Sequence, residues 1–343
     1  MIWSEQKFEK QMIKSLTKSF DKTEGDAYYT HYKNIRNKLI EELYPQIPVN
    51  EPNLTDHTAT HIKNVLTNAF KILDEGKAKN LSGMDWYFLG LAILFHDVGN
   101  VYERKEHWKF DTIAKIYDHI IGENPKYSRE RYFVSKAAEA HSGKGRDGSA
   151  DTMKDIDILG DIDGHQIRLR DMAVVLRFAD ELAEGPQRTS YFMNKHGLFD
   201  DPSKPYHLYA SQTSIFIDRN NERIGLTYDI KMRDVNGQLT PEQEKNLSDM
   251  LSFIYLRVHK LDQERKYARH HSDYCSAFKR TSVTINIEIN GESTLELNNC
   301  VLDDVTVPGE DYKELGERFD NYKIPNIISA VRTARTEADA QSI

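Results

Sequence analysis

The sequence predicts a mainly α-helical chain: a helical bundle to about residue 200, then a smaller α+β domain. Three observations carry this. Apolar residues recur with helical period in successive segments as far as Leu182. The texture changes after DPSKP at 201–205, where β-rich runs begin. Residues 282–289 alternate Val283, Ile285, Ile287 and Ile289 with polar neighbours, the period of a strand.

The elements follow in order. Residues 1–47 read as two amphipathic helices, about 5–20 and 26–43, that pack on the core and end near Pro45 and Pro48. A domain expected over 48–200 opens at Thr55-Asp56, good N-cap residues. Its first helix carries Ile62, Val65, Leu66, Ala69, Phe70 and Leu73 on one stripe. Residues 84–98 are apolar nearly all round, as in a helix buried on most sides. Helices at about 108–121 and 129–141 follow, then a loop, SGKGRDGSADT, at 142–152. The last helix of the bundle, 167–182, sets Leu169, Met172, Ala173, Leu176 and Ala179 on one face. In the second domain, expected over 201–323, the runs 206–218 and 224–233 flank Asn220 and Asn221 as a hairpin. A long helix is expected at 241–270, and a polar tail over 324–343 in which Ile327, Ile328 and Val331 can still dock.

Composition removes several functions. The apolar share is 39%, against about 45–50% in an average globular chain; it stays globular because 14 Phe, 18 Tyr and 3 Trp give the core bulk. The net charge of −8, with no Lys/Arg block, makes a poor non-specific nucleic-acid binder. Two cysteines, Cys275 and Cys300, make neither a disulfide framework nor a zinc cluster. The N-terminal MIWSEQKFEKQMIKSL has no apolar signal region. The longest apolar run, 86–95, is about half of the ~20 residues that cross a bilayer. A cytoplasmic protein with no membrane partner is expected.

The 13 histidines are the informative residues. His57 and His61 stand four apart, one helical turn, and His61 is in register with Val65, Ala69 and Leu73. His96-Asp97 ends the most apolar helix, just before Gly99, which reads as its C-cap. A His and a carboxylate buried together face a desolvation cost that a metal ion offsets. Asp180 continues the apolar face of Leu169, Met172, Ala173 and Leu176, and a carboxylate there needs a partner such as a cation.

Taken together, the words DHTATHIKNV, ILFHDVGN and VVLRFADELAEG, in that order, resemble the H…HD…D signature of the HD-domain superfamily of metal-dependent phosphohydrolases over about residues 50–195. The resemblance implies that His61, His96, Asp97 and Asp180 ligate a divalent metal such as Mn, Mg, Fe, Zn or Ni, a donor set chemically suited to those ions. Some members use extra histidines for a second metal or for proton transfer; here His107 or His141 is the expected catalytic general acid, with His57 a third candidate. Arg104 and Lys105 follow the doublet, Lys144 lies on the loop after His141, and Arg188 stands eight residues past Asp180. Arg104, Lys144 and Arg188 are the expected phosphate binders, Arg188 because triphosphohydrolases of the superfamily carry basic residues there. His141 stands alone, without the His-His pair and GYP word of the cyclic-di-GMP branch; after the doublet, the Glu-Asp of the alarmone hydrolases is also missing. A long α+β segment after an ADEL word resembles HD proteins of bacterial conflict and antiviral systems. The resemblance therefore implies nucleotide hydrolysis, foremost as a (d)NTP triphosphohydrolase and otherwise as a phosphodiesterase or phosphatase of cyclic or small nucleotides. A third reading is a sensor that binds metal and nucleotide without turnover. Assembly as a homo-oligomer is expected by the same analogy.

Overall fold

The computed structural model describes residues 3–234, 239–304 and 315–341. Contacts divide the chain into two units, Met1–Ala183 with Arg265–Ala277, and Glu184–Glu264 with Phe278–Ile343.

The first unit is helical. Its elements are α1 (Lys7–Ser19), α2 (Lys22–Lys38), α3 (Ile47–Asn50), α4 (Ala59–Ile72), α5 (Glu75–Ala78), α6 (Gly83–Phe95), α7 (Phe110–Ile121) and α8 (Ser128–Ala140), then the strand pair β1 (Gly160–Ile162) and β2 (His165–Ile167), and α9 (Leu169–Glu181). Everything is arranged round α6. Ser82 starts that helix with a capping box: its hydroxyl accepts from the Asp85 amide at 3.1 Å, and the Asp85 carboxylate accepts from the Ser82 amide at 2.8 Å. Every residue of α6 is buried, and α1, α2, α8 and α9 pack on it. Each large apolar side chain so covered contributes about 1.5–3 kcal/mol. The tight approach has a sequence cause at Gly90, where a Cβ would stand 2.5 Å from Met12 Cε and 3.0 Å from Tyr32. Asp85 also receives the Arg168 amide at 2.7 Å and its guanidinium at 2.8 Å, which ties the start of α6 to the start of α9. The C-terminal ends of α6, α8 and α9 then become the natural place for a site.

The second unit holds α10 (Tyr191–His196), α11 (Lys204–Gln212), and a sheet of β3 (Thr213–Asp218), β4 (Arg223–Met232), β5 (Arg280–Ile289) and β6 (Glu292–Asp303) in that spatial order. Strands β4 and β5 are parallel, and the other pairings are antiparallel. The register sets Leu226, Tyr228 and Ile230 beside Val283, Ile285 and Ile287, one buried row. Helix α12 (Pro241–His271) begins here, and its Leu247, Leu251, Ile254, Val258 and Leu261 form one buried stripe. Short α13 (Leu315–Arg318) precedes α14 (Ile324–Gln341).

The mainly α chain with a smaller sheet-bearing part is as expected, and three local expectations need correction. Residues 206–212 belong to helix α11; Pro205 sits in its first turn, and His207, Tyr209 and Ala210 are buried. The tail expected from 324 is helical to Gln341, with Ile327 and Val331 buried, while residues 342 and 343 lie outside the described residues. His57 lies outside α4, whose N-cap is Thr58, and so does not share a helical turn with His61.

Candidate metal centre

Four helix ends deliver the centre. His61 stands in the first turn of α4, whose buried Ile62, Val65, Leu66 and Ala69 fix its face. His96 caps the C-terminus of α6 and Asp97 follows it; His141 caps α8; Asp180 lies in the last turn of α9. His107 follows a 3-10 turn, Arg104–Glu106. Gly99 is not the cap of α6. It lies in the next 3-10 turn, where a Cβ would stand 2.5 Å from both the Cα and the carbonyl oxygen of His107. The absence of a side chain at 99 is what lets the His107 segment cross there.

Two groups share Asp97. In the first, His61 Nε2 stands 3.1 Å from Asp180 Oδ1, 3.2 Å from His96 Nε2 and 3.4 Å from Asp97 Oδ2. His96 Nε2 is 3.2 Å from Asp97 Oδ2 and 3.5 Å from Asp180 Oδ1. Donor atoms about 2.0–2.2 Å from a single ion would stand roughly 3.0–3.5 Å from one another, so these separations match the edges of a coordination shell. In the second group, the other oxygen of Asp97, Oδ1, faces His141 Nε2 at 3.7 Å and His107 Nε2 at 3.9 Å. Both groups can hold a metal ion.

Backbone carbonyls set the tautomers. Nδ1 of His96 donates to Ile93 O at 2.8 Å, Nδ1 of His107 to Arg104 O at 2.5 Å, and Nδ1 of His141 to Ala138 O. A carbonyl only accepts, so each Nδ1 carries a proton and Nε2 is the ring nitrogen that faces the centre, the usual outer support of a metal-binding imidazole. His57 is held in the same way by Thr55 O, and its Nε2 lies 3.7 Å from Asp97 Oδ2.

Charge in the centre is unbalanced without a cation. Burial opposes ionisation of Asp97, yet His96 and His57 hold its carboxyl well below the usual range. Burial likewise opposes charge on Asp180, which hydrogen bonds from His61 and His96 hold well below that range. Burial disfavours protonation of His96, but Asp97 and Asp180 outweigh it and push the imidazole up to about 10. Burial and then the neighbouring His96 push His141 down to about 3, and burial lowers His107. The pattern is two buried anions that draw a proton onto His96, beside His107 and His141, which burial keeps neutral: a demand for positive charge that a divalent ion meets with more than one proton can.

The expected phosphate binders fare differently. Arg104 reaches the centre: its Nη1 is 3.9 Å from Asp97 Oδ1 and donates to Asn100 Oδ1 at 3.2 Å and to His57 Nε2 at 3.4 Å. Lys105 is exposed, and Lys144 is exposed on the loop after His141. That loop is closed on itself by Gly145 N–Ser149 O and Gly148 N–Gly145 O bonds. Arg188 belongs to the second unit, in a 3-10 turn at Pro186–Arg188, and is 8% exposed. Sequence reasoning missed Asn100, which is fully buried and donates to Asp97 O at 3.0 Å while orienting Arg104. Its signal was a polar side chain three residues past the doublet.

A bundle of helices that ends in an H…HD…D cluster defines an HD-type domain. The HD-CE family's model matches residues 51–268, 218 of the 343 in the chain, and the chain belongs to that family. No curated protein matches it. The chain thus carries an HD-type, phosphohydrolase-like domain with a His/Asp cluster able to hold metal. Among the described residues, no helix is long and apolar enough to cross a membrane.

Proposed function

We propose that the chain is a two-metal phosphohydrolase that cleaves a phosphate ester of a cyclic or other small nucleotide. One observation carries the reading. The two oxygens of Asp97 face different donor groups, Oδ2 towards His61 and His96 and Oδ1 towards His107 and His141. Asp97 would then contribute to both sites, with His61, His96 and Asp180 as the further ligands of one and His107 and His141 of the other. The chemistry such a site would supply when loaded is Lewis acidity towards water and phosphoryl oxygen.

The remaining steps belong to the side chains. Arg104, half-exposed at the centre, presents a planar fork suited to the non-bridging oxygens of one phosphate. The side chain of Asp180 is 26% exposed while those of His61 and His96 are buried, which marks the open side for substrate. With His107 and His141 read as ligands, His57 is the imidazole for proton transfer. Its Nε2 lone pair faces the centre, and Arg104 donates to it. The (d)NTP reading leaned on Arg188 as a polyphosphate clamp. Arg104 suits a single phosphate, so we place the small phosphoester first.

Elemental analysis beside kcat tests this. Wild type should hold two metal equivalents, and His107→Gln or His141→Gln should lose one equivalent and most of the activity. Full stoichiometry with a 10²–10⁴-fold loss of rate would instead make the altered residue a general acid and sink the two-metal reading. On a nucleotide panel, release of tripolyphosphate would restore the (d)NTP reading. Nucleotide binding without turnover under every metal would favour a sensor.

A further inference from the structure

Away from the metal centre, the first unit has a half-open pocket of about 410 Å³, within the usual range for small-molecule sites. Its lining is aromatic and acidic: Tyr28, Tyr87 and Tyr127 with Glu24, Glu130 and Asp163. Glu130 is 3% exposed and accepts hydrogen bonds from Tyr87 OH at 2.7 Å and from Tyr117 OH, with His31 Nε2 at 3.3 Å. Asp163 is held by the β1–β2 turn at φ 53°, and its carboxylate lies 3.4 Å from Tyr28 OH. Burial, and then Asp163 and Glu24, push the Tyr28 phenol up, as a surplus of negative charge would.

The lining already seats one cation against an aromatic ring. The rings of Tyr28 and Tyr87 meet edge-on at 5.2 Å, and Tyr127 stacks on His31 at 4.4 Å. The one ammonium in the lining, Lys126, rests 5.4 Å over the Tyr127 ring. Three carboxylates against that one ammonium leave the lining formally at −2 with His31 neutral. An anionic or carboxylate-bearing ligand is repelled by such a lining, and a bare ion leaves most of the volume empty. A cation with an aliphatic stem satisfies both the rings and the acids. We propose that this pocket is a second ligand site, for a small organic ammonium ion such as a protonated di- or polyamine. Tyr87 lies on α6, which ends at His96-Asp97, and Glu130 on α8, which ends at His141. The ligand would therefore bear on the starts of two helices whose far ends build the metal centre.

Calorimetric titration of the full chain tests the site. Putrescine should bind saturably, and its neutral isostere 1,4-butanediol should not. Tyr127→Ala should raise Kd roughly two- to thirtyfold, the span of one cation–π contact. Asp163→Asn should raise it several-fold without harm to the turn, since Asn tolerates that backbone conformation. Circular dichroism melts would confirm that both variants fold. Equal binding of amine and diol would overturn the proposal, as would an unchanged Kd in both variants. So would the absence of saturable binding by putrescine, spermidine and choline alike.

Discussion

At the scale of single residues, the centre depends on one side chain that is absent. A Cβ at Gly99 would meet the backbone of His107, which has no flexible end to give way. Gly99→Ala should therefore shift His107 and lose metal from the Asp97–His107–His141 group, while the other group keeps its ion. Stoichiometry near one per chain, with an unchanged far-ultraviolet spectrum, is the expected result, and two equivalents would show that the crossing adapts. Protonation is equally local. In metal-free protein His96 is raised to about 10, so its contribution to stability is complete below the unfolded value near 6.5 and lost as pH rises towards 10. His107 and His141 are lowered, the latter to about 3, so their contribution is complete above about 6.5 and lost as pH falls below it. Melting temperature of the metal-free protein should peak around pH 6.5 and fall on both sides. Added metal should flatten the alkaline arm, because a deprotonated ligand set is what the ion binds. A melting temperature that rises from pH 7 to 9 without metal would contradict the assignment.

At the scale of elements, what the sequence made legible was the periodic and the buried. The all-round apolarity of 84–98 identified the central helix, and the stripe on 167–182 carried Asp180 to its place. The β1–β2 pair and strand β6 were missed although the turns that open them are written out. Asp163-Gly164 and Asn290-Gly291 both adopt positive φ, at 53° and 82° and at 56° and 89°. Such dipeptides are strong hairpin signals. Strand β6 went unread because its residues, ESTLELNNCVLD, alternate poorly, with irregular register against β5. The run at 206–212 misled because its tyrosines favour strands in general, whereas here they line a helix. The split role of Asp97 could not be read at all, because spacing says nothing of which oxygen faces which histidine. Helix α6 offers its own test. Asp85→Ala removes the carboxylate half of the capping box and the charged hydrogen bonds to Arg168, which is one-third exposed, and should cost about 2 kcal/mol. A denaturant midpoint shifted by less than a third of that would mean that packing alone holds the helix start.

At the scale of the whole molecule, every donor belongs to the first unit, and this divides the response to metal unevenly. Metal at a hundredfold excess over Kd stabilises the state that binds it by about 2.7 kcal/mol. Hydrogen exchange should therefore slow in α4, α6, α8 and α9 when metal is added to stripped protein, and stay the same in β3–β6. Equal slowing in the sheet would show that the ion stabilises both units. The spacing of the donors along the chain also has a consequence for synthesis. Asp97, His107 and His141 form one group, whereas the other is incomplete until Asp180, 39 positions beyond His141. A chain emerging from the ribosome thus offers the three-donor pocket first and the four-donor pocket only after α9 has appeared. Metal uptake by ribosome-bound chains stalled before and after residue 180 would read this order, with one ion loaded early and the second admitted when the bundle closes.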